Sequence, residues 1–199
     1  MRVEIRPSSG APRQASKVRR RIRRIRRIGL VALASGVVYV LVGLPVFVFP
    51  ATGPVPAHVD VAFVLGPATQ ARLGVAERLR RTGVATDVLV STPGSDPTNG
   101  VPALAACNAT PHLLCAAPRP TTTRGEARLL AREAAAHHWT SAVVITMPAH
   151  ISRARLLMGR CFSGTLSMAS SGEGPTYGWA YQYLYQTAGT VKALLLPGC

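Results

Sequence analysis

A run of 22 residues without a charge, at 28–49, is the feature that most constrains this chain. As a helix the run would measure about 33 Å, which matches the bilayer's hydrocarbon core of about 30 Å. Seven arginines directly precede it, and no comparable cluster follows it: Arg19, Arg20, Arg21, Arg23, Arg24, Arg26 and Arg27. By the positive-inside rule, the basic end stays in the cytoplasm. We therefore expect a single-pass inner-membrane protein whose remaining chain lies on the outer face.

The arginines and the apolar run each have a second interpretation. The arginine cluster can act only to set the orientation of the helix in the membrane, or it can also bind specific lipids or a partner. The run also fits the core of a cleaved signal peptide, because Val55-Pro56-Ala57 weakly resembles a cleavage site. Signal cores usually have about 7–15 residues, fewer than this run. We favour a retained anchor, which gives a basic tail at 1–27, a transmembrane helix at 28–49, a linker at 50–58 and an exported domain at 59–199.

The basic charge of the chain is concentrated before the apolar run. The formal net charge is +15, but residues 1–27 hold 11 of the 23 lysines and arginines and a single acid, Glu4. The rest of the chain carries only +5. No basic run there is interleaved with aromatic residues, as a nucleic-acid surface requires. We expect the lipid bilayer as a partner and no nucleic acid.

Four cysteines all follow the apolar run: Cys107, Cys115, Cys161 and Cys199. In an oxidising compartment an even number of cysteines favours disulfides, and four allow three pairings. The short interval makes a Cys107–Cys115 clip the simplest choice, and Cys161–Cys199 would then fasten the end of the domain. Zinc is the competing interpretation, but the chain has no CxxC pair and no histidine at ligand spacing. We expect two disulfides and no metal.

Apolar β-type runs alternate with helical patterns from Val59 onward. This alternation is typical of a Rossmann-like α/β domain, an open and mostly parallel sheet with helices on both faces. Strands are predicted at 59–65, 88–91, 113–116, 142–146 and 165–169. Helices are predicted at 71–82, 123–138, 151–161 and 177–195. A turn-rich segment at 92–100 follows the second strand.

Polar residues follow several of the predicted strands. Gly66 comes after the first strand, Ser91 ends the second, and Thr146 ends the fourth, with His150 four residues later. Ligands in such sheets bind beyond the carboxyl ends of the strands, so these positions should converge on one crevice. Two arginines and one helix start are predicted to join them: Arg72, Arg153, Thr123 and Glu126. Guanidinium groups and a helix N-terminus suit a phosphate or another anion.

Structural explanations compete with this site. Thr123 followed by Glu126 matches a capping box, which would make both residues structural. A histidine at a strand end is more often a structural hydrogen-bonding residue than a catalyst. If instead Arg72, His150 and Arg153 surround an anion, each should be exposed in a polar crevice.

Several enzyme classes lack their motifs in this sequence. The chain has no Gly-x-Ser-x-Gly elbow, no complete GxGxxG and no Walker loop. Its carboxylates are too few and too scattered for a two-metal phosphatase. Hydrolase, dinucleotide and nucleotidase interpretations are therefore disfavoured, and no cofactor is expected.

Three stretches carry a resemblance to a known family: VAFVLG at 61–66, TTRGEA at 122–127 and VITMPAHISRAR at 144–155. With Arg72 and Ser91, they resemble the YdcF-like family, whose bacterial members include SanA and ElyC. The most specific element is Thr146, His150 and Arg153 at their mutual spacing. The family's long helix usually opens with Thr-x-Glu-Asn, whereas here Gly125 and Glu126 follow Thr123 in the last two places. The cysteines resemble an actinobacterial branch.

The resemblance implies a Rossmann-like fold, a membrane anchor and a role in envelope or cell-wall precursor biogenesis. Our leading hypothesis is binding of an anionic, phosphate-bearing ligand, such as a polyprenyl-linked intermediate. In it Arg72 and Arg153 grip the anion, and His150 donates a hydrogen bond or acts as a general acid or base. The other site residues, which line the floor, are Gly66, Ser91, Thr123, Glu126 and Thr146. The alternatives are a non-catalytic scaffold and, because one soluble relative is associated with S-adenosylmethionine, a methyltransferase-like domain.

Overall fold

The computed structural model describes residues 11–92, 94, 107, 110–175 and 177–199, with side chains from Arg19 onward. The first ten residues of the basic tail and most of the turn-rich segment at 92–100 lie outside the described residues. The described part of the chain forms two compact units, one before Gly43 and one from Gly43 to Cys199.

The described part of the first unit belongs to one long helix, α1, at Ala11–Gly43, whose last residue is already in the second unit. The second unit begins with a π-helical segment at Leu44–Val48. Together, Arg19–Val48 form a helix long and apolar enough to cross a membrane, with a mean hydropathy of 2.4 in its most apolar window. Many large apolar side chains between Ile28 and Val42 are exposed. The predicted apolar helix is thus present.

The second unit is built on a sheet whose described strands all run parallel, in the order β3-β2-β1-β4-β5. The strands are β1 Val59–Val64, β2 Ala85–Ser91, β3 Leu113–Ala116, β4 Ser141–Thr146 and β5 Thr165–Ser170. In β1, Val61, Ala62, Phe63 and Val64 are all fully buried. Continuous apolar runs of this kind are expected where both faces of a sheet are covered.

Helices cover both faces of the sheet, as predicted. Those that pack on it are α2 Gln70–Arg81, α3 Thr123–His137 and α4 Ile151–Cys161, whereas α5 Gly178–Leu195 packs against α4. One face of the sheet forms a core with α2, and the other forms a separate core with α3 and α4. The Rossmann-like α/β prediction is therefore confirmed.

Strand β2 begins three residues earlier than predicted, at Ala85. The polar residue Asp87 interrupts the apolar pattern, so the first three residues of the strand were not predicted. Its carboxylate accepts hydrogen bonds from Trp139 Nε1 at 2.9 Å and lies 2.8 Å from His112 Nδ1. Because both oxygens have partners, the strand tolerates the aspartate.

Two disulfides join the four cysteines in the predicted pairs. Cys107 is bonded to Cys115 on β3, with the Cα atoms 5.5 Å apart. Cys161, at the end of α4, is bonded to Cys199, with a Cα separation of 4.9 Å. The second bond holds the segment that follows α5 against the rest of the domain.

Candidate functional site

A cavity of about 760 Å³ opens beyond the carboxyl end of β1. The strand order reverses between β1 and β4, and parallel sheets bind ligands at such a switch point. The cavity is lined by residues after β1, at the start of α3, on α4 and along α5: Gly66, Pro67, Pro118, Pro120, Thr121, Thr122, Thr123, Arg124, Glu126, Arg153, Leu157, Tyr185, Ala188, Gly189, Lys192, Ala193 and Leu196. Four of the eight predicted site residues therefore line one cavity: Gly66, Thr123, Glu126 and Arg153.

The capping box predicted for Thr123 and Glu126 is wrong. Thr122 is the N-cap of α3, and its Oγ1 accepts a hydrogen bond from the Gly125 backbone N–H at 3.2 Å. The third helical position is Gly125, which has no side chain to complete a box. A Cβ at Gly125 would lie 1.8 Å from the Pro120 carbonyl oxygen, so glycine lets the loop before α3 close onto the helix.

Glu126 is directed at the end of β1 instead. One of its carboxylate oxygens accepts a hydrogen bond from the Gly66 N–H at 2.7 Å, and the residue is only 6% exposed. Burial raises the pKa of Glu126, although the Gly66 N–H, the Ser91 hydroxyl and the charges of Arg72 and Arg153 oppose the rise. Glu126 therefore fixes the turn after β1 and places a carboxyl group in the cavity wall.

Arg153 is a half-buried cation in the lining of this cavity. Its Nε donates to Gln186 Oε1 at 2.8 Å, its Nη1 lies 3.4 Å from Thr123 Oγ1, and its guanidinium faces the Tyr185 ring at 5.5 Å. No carboxylate of the described residues lies within ion-pair distance of it. Burial lowers the pKa of Arg153, although the group stays protonated. The cavity thus contains a positive charge held by neutral partners.

Arg72 occupies a different environment. It is 4% exposed, its Nε donates to Glu173 Oε1 at 2.6 Å, and its Nη1 donates to the carbonyl oxygens of Leu65 and Pro67 at 3.1 Å. Thr69 Oγ1 donates to the other oxygen of Glu173 at 2.7 Å. The expectation that Arg72 is exposed in a crevice is therefore wrong. Its guanidinium is buried and is already bonded to the Glu173 carboxylate and to two carbonyl oxygens.

His150 is also buried, at 7% exposure, contrary to expectation. Its Nε2 lies 3.4 Å from Thr123 Oγ1, and its Nδ1 has no hydrogen-bond partner among the described residues. Burial and the charges of Arg153 and Arg72 hold the pKa of His150 well below its usual value, although the nearby Gln186 side chain opposes the fall. The imidazole is therefore neutral near pH 7, and it contacts the cavity through Thr123.

Ser91 and Thr146 end β2 and β4 as predicted, and both are fully buried. Within the described residues, neither hydroxyl oxygen meets the geometric criteria for a hydrogen bond. The Ser91 hydroxyl nevertheless lowers the pKa of Glu126, which places it close to that carboxyl group. Neither residue lines the cavity.

The sequence did not reveal the wall that α5 contributes. Gln186 and Gln182 are both buried and joined by an amide hydrogen bond of 3.0 Å, and Gln186 in turn holds Arg153. A Cβ at Gly189 would meet Arg153 Cδ at 2.9 Å, so this glycine makes room for the arginine. One feature of the sequence could have indicated this wall: a face of the otherwise apolar α5 that carries Gln182, Gln186 and Gly189.

Among the described residues, no three His, Cys, Asp or Glu side chains are grouped so that they could hold a metal ion. Comparison with protein-family models, with curated proteins and with solved structures finds no match to this chain.

Proposed function

We propose that this protein is a membrane-anchored, extracytoplasmic binding domain for an anionic amphiphile, a phosphate group carried on an apolar chain. The observation that carries the proposal is Arg153, a half-buried guanidinium in the cavity that no carboxylate of the described residues approaches within ion-pair distance. Glu126 attracts it only over a longer distance. A partly desolvated cation without a direct counter-ion is energetically unfavourable, and a bound phosphate would supply one.

The polar residues of the lining suit a phosphate. The N-terminus of α3 lies in the lining, with Thr123, the N-cap Thr122 and the preceding Thr121, and it brings the positive end of the helix dipole to the cavity. Arg124 and Lys192 add two further cations to the lining. Among the described residues that line the cavity, Glu126 is the one acid, and its raised pKa and its bond to Gly66 reduce its competition with an anion.

The apolar residues of the lining suit a hydrocarbon chain. They are Leu157, Ala188, Ala193 and Leu196, together with the ring of Tyr185. Apolar side chains beside cations fit a lipid phosphate better than a free sugar phosphate.

The proposed setting is the outer face of the inner membrane. The apolar helix Arg19–Val48 supports an anchor, and two disulfides support an oxidising compartment. The arginine cluster before the apolar run supports a cytoplasmic N-terminus. Together with the resemblance to the YdcF-like family, these features favour envelope or peptidoglycan precursor biogenesis, with a polyprenyl-linked intermediate as the ligand.

The scaffold alternative is favoured by one observation. Arg72 joins α2 to Glu173 after β5 and to the carbonyls after β1, so it fastens strand ends together. We therefore assign Arg72 to the structure of the site and Arg153 to the ligand. A pure scaffold would have no small-molecule ligand at all.

The test is binding to the full chain in lipid nanodiscs. Farnesyl phosphate, farnesol and inorganic phosphate are titrated in parallel and followed by calorimetry. We expect farnesyl phosphate to bind at least about tenfold more tightly than either fragment, which is about 1.4 kcal/mol. Arg153→Lys should weaken that binding about tenfold or more, because lysine keeps the charge but loses the planar fork that grips phosphate oxygens.

Arg155→Lys is the matched control. Arg155 lies on the same helix but donates to the carbonyl oxygens of Ala51 and Thr52, away from the cavity lining. This variant should bind farnesyl phosphate with unchanged affinity. Unchanged affinity in both Arg153→Lys and His150→Ala would contradict the anion site and favour the scaffold.

A topology experiment tests the setting separately. Alkaline phosphatase fused after Cys199 should be active, because it folds only outside the cytoplasm. An inactive fusion, with an active cytoplasmic reporter at the same point, would refute the exported domain.

A further inference from the structure

Helix α5 carries an apolar stripe along its outer side. The stripe consists of exposed residues of α5 at alternating spacings of three and four: Tyr181, Leu184, Ala188, Val191 and Leu195. This spacing places all five on one side of the helix. The exposed Tyr177, the N-cap residue of α5, extends the stripe by packing its ring edge-on against Tyr181, with the centroids 5.3 Å apart. The opposite side holds the buried Gln182 and Gln186, so the helix is turned with its apolar side outward. An exposed apolar strip of this length marks a contact surface.

The position of α5 indicates what that surface contacts. The Tyr183 ring packs edge-on against Phe47, with centroids 5.0 Å apart, and Phe47 lies in the last turn of the apolar segment that ends at Val48. A Cβ at Gly43 would lie 2.1 Å from Tyr183 Cε1, so the two helical segments touch closely. Ser152, on α4, also donates to the Val46 carbonyl oxygen at 2.8 Å. Helix α5 is thus held where the membrane segment ends.

The charges around the end of α5 match an anionic lipid surface. Four cations surround it: Arg124 bonds the Leu196 carbonyl, Arg160 bonds the Ala193 carbonyl at 2.6 Å, Arg128 bonds the Cys199 carbonyl at 2.7 Å, and Lys192 is exposed. None of them forms an ion pair with a side-chain carboxylate of the described residues. Arginine and lysine at a membrane surface keep their charge among the headgroups.

We propose that the apolar stripe of α5 lies in the headgroup region of the bilayer that anchors the chain. Tyrosine, with an apolar ring and a polar tip, is the residue type enriched at this depth, and the stripe has two of them. Contact with the bilayer holds the domain against the membrane and places Ala188 and Lys192, which also line the cavity, beside the lipid. The inference rests on the proposed anchor and not on the identity of the ligand.

The experiment measures the depth of single tryptophans in the full chain, reconstituted into vesicles of phosphatidylglycerol and phosphatidylcholine. The native tryptophans are removed by Trp139→Phe and Trp179→Phe, and one reporter is added on the stripe, by Tyr181→Trp or, independently, by Leu195→Trp. Arg81→Trp is the matched control on α2, where the side chain of Arg81 is 70% exposed on the other side of the sheet. Circular dichroism verifies that each variant is folded, and vesicle flotation verifies the anchor.

We expect lipids brominated on the acyl chain near the headgroup to quench both stripe reporters by about half or more and to leave the Arg81→Trp control unchanged. Acrylamide in the water phase should quench the control and not the stripe. Stripe reporters that acrylamide quenches freely would overturn the proposal. Reporters shielded from both quenchers would also overturn it and would indicate a helix pair between two copies of the chain. Failure of flotation would instead count against the anchor itself.

Discussion

Arg72 and Arg153 are predicted from the sequence to do the same thing, and the structure separates them. Arg72 is almost completely buried and forms a 2.5 Å ion pair with Glu173. Arg153 is half-buried, and its nearest partners are the neutral side chains of Gln186, Thr123 and Tyr185. The difference shows that an arginine beyond a strand end can either join parts of the fold or remain available to a ligand. The presence of a carboxylate partner decides between these roles.

The largest expected difference between Arg72 and Arg153 is in their contributions to the free energy of unfolding. Arg72→Ala should lower the free energy of unfolding by about 3 kcal/mol or more, because it leaves Glu173 without its partner. Arg153→Ala should cost only about 1 kcal/mol, since it removes hydrogen bonds to neutral groups. Urea unfolding followed by circular dichroism measures both values. Equal costs for the two variants would remove the distinction between a structural and a ligand-binding arginine.

A charge-removal control separates the ion pair from simple loss of packing. Glu173→Gln keeps the size of the side chain, leaves Arg72 without a negative partner, and should be destabilising in the same assay. Adding Arg72→Met to Glu173→Gln should recover part of that loss, because the unpaired guanidinium is then absent. Strictly additive costs would mean that the two residues do not act as a pair.

Acid should reveal the influence of both arginines on His150. The folded pKa of His150 lies well below its usual value near 6.5, because of burial and of the charges of Arg153 and Arg72. As the pH falls below 6.5, the unfolded chain takes up a proton that the folded chain does not, so stability decreases. His150→Gln should lose this part of the pH dependence, measured as the difference in unfolding free energy between the two proteins at pH 7.5 and 5.5. Parallel profiles would show that His150 is not held neutral.

Glu126 should contribute a pH dependence of stability with the opposite sign to that of His150. Burial raises its folded pKa above the usual value near 4.5, so the unfolded chain ionises first and stability decreases as the pH rises from 4.5. Glu126→Gln keeps an oxygen that can accept from the Gly66 N–H but cannot ionise. Subtracting the two stability profiles between pH 4 and 7 should leave a difference that grows with pH in favour of the variant. A difference that shrinks would mean that the arginine charges outweigh burial.

The smallest expected change in stability comes from Gly189→Ala. Alanine in a helix gains up to about 1 kcal/mol over glycine, which offsets the contact of the new Cβ with Arg153 Cδ and Nε. Stability should therefore change by less than about 1 kcal/mol, while farnesyl phosphate binding weakens because the guanidinium is displaced. Gly74→Ala, on α2, has nothing within 4 Å and serves as the control. Loss of binding in both variants would break the link to Arg153.

The sequence predicted the fold better than the site for a physical reason. Buried strands and amphipathic helices have characteristic local patterns of apolar residues. Strand β3 at Leu113–Ala116 and helix α4 at Ile151–Cys161 therefore match the predicted bounds. The partner of Arg72 lies 101 residues away, and no local pattern connects Arg72 with Glu173. Strand-end reasoning locates the backbone of Ser91, Thr146 and His150 but not the direction in which their side chains point.

At α3 and α5, tertiary contacts overrode local rules. The threonine–glutamate spacing predicts a cap, but Gly66 offers Glu126 a buried donor, and Thr122 has already taken the cap position. The wall formed by α5 was missed because apolar periodicity alone does not tell which side of a helix is buried. Here the glutamine side is buried, and the apolar stripe is exposed.

The long-range bonds around Arg72 and Glu126 also constrain the order in which the domain can assemble. Gly66 and Glu126 are 60 residues apart, and Arg72 and Glu173 are 101 apart. Closing such long loops costs entropy before the contacts repay it, and topologies rich in distant pairings fold slowly. A nascent chain that has completed only β1, α2 and β2 therefore carries Arg72 without its counter-ion. The sheet can begin to form early, but the end at which the cavity opens is completed only after β5 and Glu173 have arrived.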